Sequence, residues 1–185
     1  MLGLQVAIVL LPVVSLAGAA VQLARGRRPR TLGRASEGFL VWVLVVWAGI
    51  GGLLAFLSHT LLAEQTARAI GWPKGNPFQS EVTVANLTLG VLGILCYWIR
   101  GSFWLATVIA TSVWLLGDAV VHIYHIVVNQ NYHPGNTGLP FYFDILLPFL
   151  LIVLLIAYGA SGEDRTQKGY LLASRGNSAL AISPT

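Results

Sequence analysis

The chain is poor in charge and almost without cysteine. Only 10% of its 185 residues are Asp, Glu, Lys or Arg, against about a quarter in a soluble domain. With 56% hydrophobic residues and a mean hydropathy of +0.73, that scarcity excludes an ordinary water-soluble globule. The single cysteine, Cys96, excludes an intramolecular disulfide and any multi-cysteine metal or iron–sulfur site. The apolar runs lack period-two alternation, which argues against a β-barrel. No internal repeat, phosphate-binding loop, dinucleotide fingerprint or nucleic-acid module is visible. The formal charge of +4 therefore does not point to nucleic acid.

What is present is a set of five long apolar runs. They predict an all-α, polytopic membrane bundle of five transmembrane helices, with spans at about 2–23, 39–63, 82–99, 103–128 and 140–160, at about 20 residues per crossing. Residues 1–160 form the transmembrane domain, and 161–185, aperiodic and less hydrophobic, a flexible cytoplasmic tail. The first run is expected to be a retained helix, because the basic loop follows it where a signal peptide would carry its charge in front. Arg25, Arg27, Arg28, Arg30, Arg34, Arg100, Arg165, Lys168 and Arg175 fall on one side of a five-span chain, and only Arg68 and Lys74 on the other. The positive-inside bias then puts the N-terminus outside and the C-terminus in the cytoplasm, with the bacterial inner membrane as the expected location.

Several positions read as structural. Asn76, Pro77 and Gln79 resemble a capping box at the start of the third span. Arg68 is the expected salt partner of Glu64, one turn away. Trp72, Tyr132, Phe141 and Tyr142 fit an interfacial aromatic belt. Asn86, Gly90 and Gly93 form a small-residue stripe suited to close helix contact.

The stretch "DAVVHIYH", Asp118 to His125, places an acid and two histidines inside an apolar run. At about 100° per residue all three share one helix face, which must point into the bundle because a lipid-facing stripe would be costly. His59 late in the second span, Glu81 at the start of the third and Asp144 early in the fifth reach the same half of the membrane. Such His/carboxylate convergence suits a divalent ion such as Zn, Mn or Fe, built from side chains on facing helices. The expected ligands are His59, Glu81, His122 and Asp144. Asp118 would orient His122 by accepting its second N–H, and His125, one turn higher and nearer water, is open as ligand, proton relay or neither.

The functional expectation is a small integral membrane protein with an intramembrane His/carboxylate site on the outward side, binding a metal and acting on a lipid or small apolar substrate. Whether it is an enzyme stays open. A proton-coupled transporter is one alternative. Another is an accessory subunit of a membrane complex in which the polar groups are interhelical hydrogen bonds only; a homo-oligomer would suit the transporter, for which five helices are few. Haem on two of His59, His122 and His125 is disfavoured by the neighbouring acids. The lipid bilayer is the one partner common to all readings.

The blocks "GWPKGNPFQSEVTVANLTLGVLGIL", "GDAVVHIYH" and "PGNTGLPFYFDILLP" together resemble an uncharacterised family of small bacterial multi-pass membrane proteins, a domain of unknown function. The resemblance runs from about Leu53 to Leu154 and is most distinctive at "NPFQSE". It implies a helical membrane fold and carries no activity or site residue with it.

Overall fold

The computed structural model describes residues 2–26 and 31–161. Arg27, Arg28, Arg30 and the tail from residue 162 on, with Arg165, Lys168 and Arg175, lie outside the described residues. Among the described residues every regular element is a helix. In order they are α1 (Leu2–Arg25), α2 (Leu32–Trp42), a π-helical stretch (Val43–Ile50), α3 (Gly51–Leu61), α4 (Ala63–Ile70), α5 (Phe78–Leu95), α6 (Ser102–Asn129), α7 (Pro134–Thr137) and α8 (Leu139–Ala160). Helix is the natural outcome for such runs, because it satisfies each backbone N–H and C=O within its own segment.

Four stretches are long and apolar enough to cross a membrane: Leu32–Leu61, Phe78–Leu95, Ser102–Asn129 and Pro134–Ala160. The apolar helix Val9–Arg25, within α1, is shorter. The outer faces of the bundle are apolar as well. Val113 on α6 is 69% exposed and Ile156 on α8 is 65% exposed, as expected of a surface that meets lipid.

The two ends of the bundle are built differently. The end bearing Arg34, Glu37 and Arg100 is packed solid. Trp104 is completely buried there, donates its indole N–H to the Cys96 carbonyl at 2.8 Å, and stacks at a tilt on Tyr158. Leu40, Leu44, Val108 and Leu151 close the same core. Arg100 pairs with Glu37, and its guanidinium lies 5.3 Å from the Trp104 ring centroid.

Higher up, the π-helical stretch and α3 press directly on α5. A Cβ on Gly93 would lie 2.5 Å from the Gly49 amide nitrogen, and one on Gly52 would lie 2.8 Å from that of Gly90. Two pairs of glycines thus let backbones touch, the small-residue mode of helix association in membranes. Beyond this clamp α3, α5, α6 and α8 separate, and a cavity opens at the histidine end.

That end is roofed. The turn after α6 and the short α7 dock on α4. Asn131 donates from Nδ2 to the Ile70 carbonyl at 2.8 Å and accepts from the His133 N–H at 3.1 Å. Gly135 lies where a Cβ would sit 2.7 Å from the Ala69 carbonyl oxygen. Gly71, with φ of +83°, makes the reversal that leads away from α4. Glu64 pairs with Lys74 at 3.2 Å, while Arg68 donates only to the Glu64 backbone carbonyl. The sequence pairing of Glu64 with Arg68 is corrected accordingly: Lys74 comes back across the loop and offers the free ammonium.

Replacing Gly93 with Ile should lower the melting temperature of the purified protein sharply, since overpacking of this kind costs about 1–3 kcal/mol or more. Gly117 has open space at its Cβ position, so Gly117→Ala should leave the melting temperature unchanged or slightly raised. Equal melting temperatures for Gly93→Ile and wild type would remove the clamp.

Candidate functional site: a roofed polar cavity within the bundle

The cavity has a volume of about 530 Å³, inside the range of about 300–1,000 Å³ common for small-molecule sites. His59, Asp118, His122, His125 and Asp144 all line it. Five of the six residues singled out in the sequence therefore meet at one chamber. Its remaining walls are largely apolar, with Trp47, Leu54, Leu89, Leu115 and Phe143 among them. Asn86 contributes an isolated amide.

His122 is contacted at both ring nitrogens. Asn136 is fully buried, and its Nδ2 donates to the carbonyls of Asn131 at 2.9 Å and His122 at 3.4 Å. Those two acceptors fix the amide so that Oδ1 faces the His122 ring at 2.7 Å from Nδ1. Nδ1 must then carry the proton and donate. The other ring nitrogen, Nε2, points to Asp144 Oδ2 at 3.5 Å. With Nδ1 committed, this contact is attractive only if the pair holds one further proton, as imidazolium with carboxylate or imidazole with carboxylic acid. The separation exceeds the usual span of about 2.7–3.2 Å for such a bond. The groups are aligned but not closed, and a ligand atom can enter between them.

The second wall carries His59. Its Nδ1 lies 3.3 Å from Gln79 Nε2, which also donates to the Ala63 carbonyl at 2.8 Å. A nitrogen that accepts from an amide has no proton of its own, so His59 presents Nε2–H elsewhere. Trp72, expected in an interfacial belt, turns inward and lies 6.2 Å from the His59 ring. His125 is held by Asn129 at 2.8 Å. Asp118 faces the cavity with no hydrogen bond or ion pair among the described residues, near enough to Asp144 for their charges to interact.

Three sequence expectations change here. Glu81 is exposed and does not line the cavity. The α5 side chain that reaches the site is Gln79, which completes no capping box. Asn76 still caps the helix start, accepting from the Phe78 N–H at 3.1 Å. Second, the His122 N–H goes to Asn136 and not to Asp118. Third, among the described residues no group of three or more His, Cys, Asp or Glu is placed to hold a metal ion. The expected set of His59, Glu81, His122 and Asp144 is not gathered round one point here: Glu81 is exposed, and Gln79 lies against one nitrogen of His59.

Asn136, Asn131 and Gln79 were the residues missed. Their segments read as turns and caps, and only the three-dimensional docking of α7 on α4 and α6 shows them as supports of the site.

The architecture is thus that of a helical protein with four membrane-length helices and a roofed cavity between them bearing an acid–imidazole pair. The chain belongs to the Family of unknown function (DUF6790), whose model matches residues 5–164. The match takes in α1, which the resemblance seen in the sequence had left out. No curated protein and no solved structure matches the chain.

Asn136→Leu should destabilise the protein by about 1–3 kcal/mol, since it strands the His122 N–H and the Asn131 carbonyl. Gln79→Leu should free His59, which a changed ring resonance in the NMR spectrum would report. Glu81→Ala should stay within about 0.5 kcal/mol of wild type. A larger loss at Glu81 than at Asn136 would reverse the assignment.

Proposed function

We propose that this protein binds a small amphiphile inside the membrane and exchanges a proton with it at the His122–Asp144 pair. The observation that carries this reading is the pair itself, 3.5 Å apart in a cavity whose other walls are largely apolar. Because Asn136 fixes the His122 tautomer, Nε2 and the Asp144 carboxyl form an acid–base couple aimed at whatever enters. A headgroup seated between them could gain or lose a proton, which is general acid–base chemistry on a lipid or small apolar substrate.

The chain as a whole fits five crossings with the N-terminus outside and the C-terminus in the cytoplasm of a bacterial inner membrane, on the nine-to-two distribution of basic residues. α1 then supplies the first crossing. A second reading, proton-coupled carriage, is favoured by Asp118, which has no partner among the described residues and offers a further proton-binding step along the same cavity.

Native mass spectrometry of the protein released gently from its membrane should show a bound amphiphile. His122→Ala and Asp144→Asn should each weaken its retention about tenfold or more, the loss expected for a hydrogen bond to a charged group. Stoichiometric metal in elemental analysis, lost in His122→Ala and with no amphiphile present, would overturn the proposal. For the topology, Lys74→Cys should react with an impermeant maleimide added outside intact cells, and Arg100→Cys only after permeabilisation.

A further inference from the structure

How the cavity fills follows from its walls. On its aqueous side lies the bonded roof of α4, the turn after α6 and α7. Asn131 is tied to Ile70, Asn136 to His122, and Gly135 sits against the Ala69 backbone. Sideways the closure is much lighter. α1 packs on α2 and the π-helical stretch, whereas α8 packs on α2, α6 and α7. Between α1 and α8 runs a shallow apolar groove lined by Val6, Val9, Leu10 and Leu139. Leu139 also lines the main cavity, and Leu11, the next residue along α1, lines it too. A single leucine side chain, 43% exposed, therefore stands between the groove on the lipid side and the chamber. No hydrogen bond has to break for it to turn aside.

The lining also restricts the ligand's head. Among the described lining residues there is no Lys or Arg, the side chains on which phosphate and carboxylate heads are normally held. The polar side chains on offer are imidazoles, amides, two carboxyls and the hydroxyls of Ser58, Thr66 and Thr111. These can accept from, or donate to, a hydroxyl, and they attract a cation.

We propose that the cavity is loaded laterally from the bilayer through the α1–α8 seam gated by Leu139, and that its ligand is a single-chain amphiphile with a hydroxyl or amine head. This rests on the amphiphile reading above and adds the route and the headgroup class. The head slides along the seam, passes Leu139 and reaches the acid–imidazole pair, while its chain stays in the groove between α1 and α8.

The test uses the full chain in nanodiscs with a long-chain alcohol bearing a photoactivatable diazirine next to its hydroxyl end, dissolved in the bilayer, and peptide mapping of the labelled sites. In wild type, label should appear on the cavity face of α6 around Leu115 to His122. Leu139→Trp and Leu10→Trp block the seam from its two sides and should each cut that labelling several-fold. Val153→Trp, on the exposed face of α8, should leave it unchanged. The use of both blocking variants guards against one failing to fold, and Leu139→Ala should label at least as strongly as wild type. The matching carboxylic acid probe should label the cavity several-fold less than the alcohol. Cavity labelling that persists in both blocking variants would overturn the seam while leaving the amphiphile reading intact. Equal labelling by acid and alcohol would overturn the headgroup class. No cavity labelling in wild type would overturn both the route and the reading beneath it.

Discussion

A buried polar group must find its partner within the protein, and the amide of Asn136 meets that demand for three groups at once. It takes the N–H of His122 on α6, caps the Asn131 carbonyl after that helix, and returns a bond to the His122 backbone. With that amide in place the imidazole has one free nitrogen and one direction in which to present it. The alignment with Asp144 on α8 and the anchoring of the turn above His122 both rest on this buried side chain.

The glycine clamp works at the other end of the same chamber. Where Gly49 and Gly52 meet Gly93 and Gly90, the helices are as close as backbones can come. A bundle pinched so tightly in one place can diverge in another without losing its register. The solid packing around Trp104 and the space around His122 are thus two outcomes of one arrangement: close contact is concentrated where the side chains are small or fully apolar, and the polar side chains gather where the helices part.

Much of this was legible in the residues. The apolar runs gave the helices, and the spacing of Asp118, His122 and His125 placed all three on one wall. Glu81 was misjudged because its depth was considered and its facing was not. Gln79, Thr83, Asn86, Gly90 and Gly93 follow one another at alternating steps of four and three, a single helix face. Once Gly90 and Gly93 are assigned to contact with the preceding helix, Gln79 must point inward. Glu81, about 200° round from it at about 100° per residue, must point out. The role of Asn136 was not legible, because a turn has no periodicity from which a side-chain direction can be read. Its partners lie five and fourteen positions back along the chain, and only the fold brings them to it.

The bond between Asn136 and His122 has a consequence for the surface of the protein. A ligand that takes hold of the imidazole must push or pull on an amide anchored in the polar turn above it. Through Asn131 that turn is fastened to the end of α4, an amphipathic helix with Glu64 and Arg68 exposed to solvent. The proposed ligand site and a charged outer face are thus joined by an unbroken run of hydrogen bonds, from His122 through Asn136 and Asn131 to Ile70.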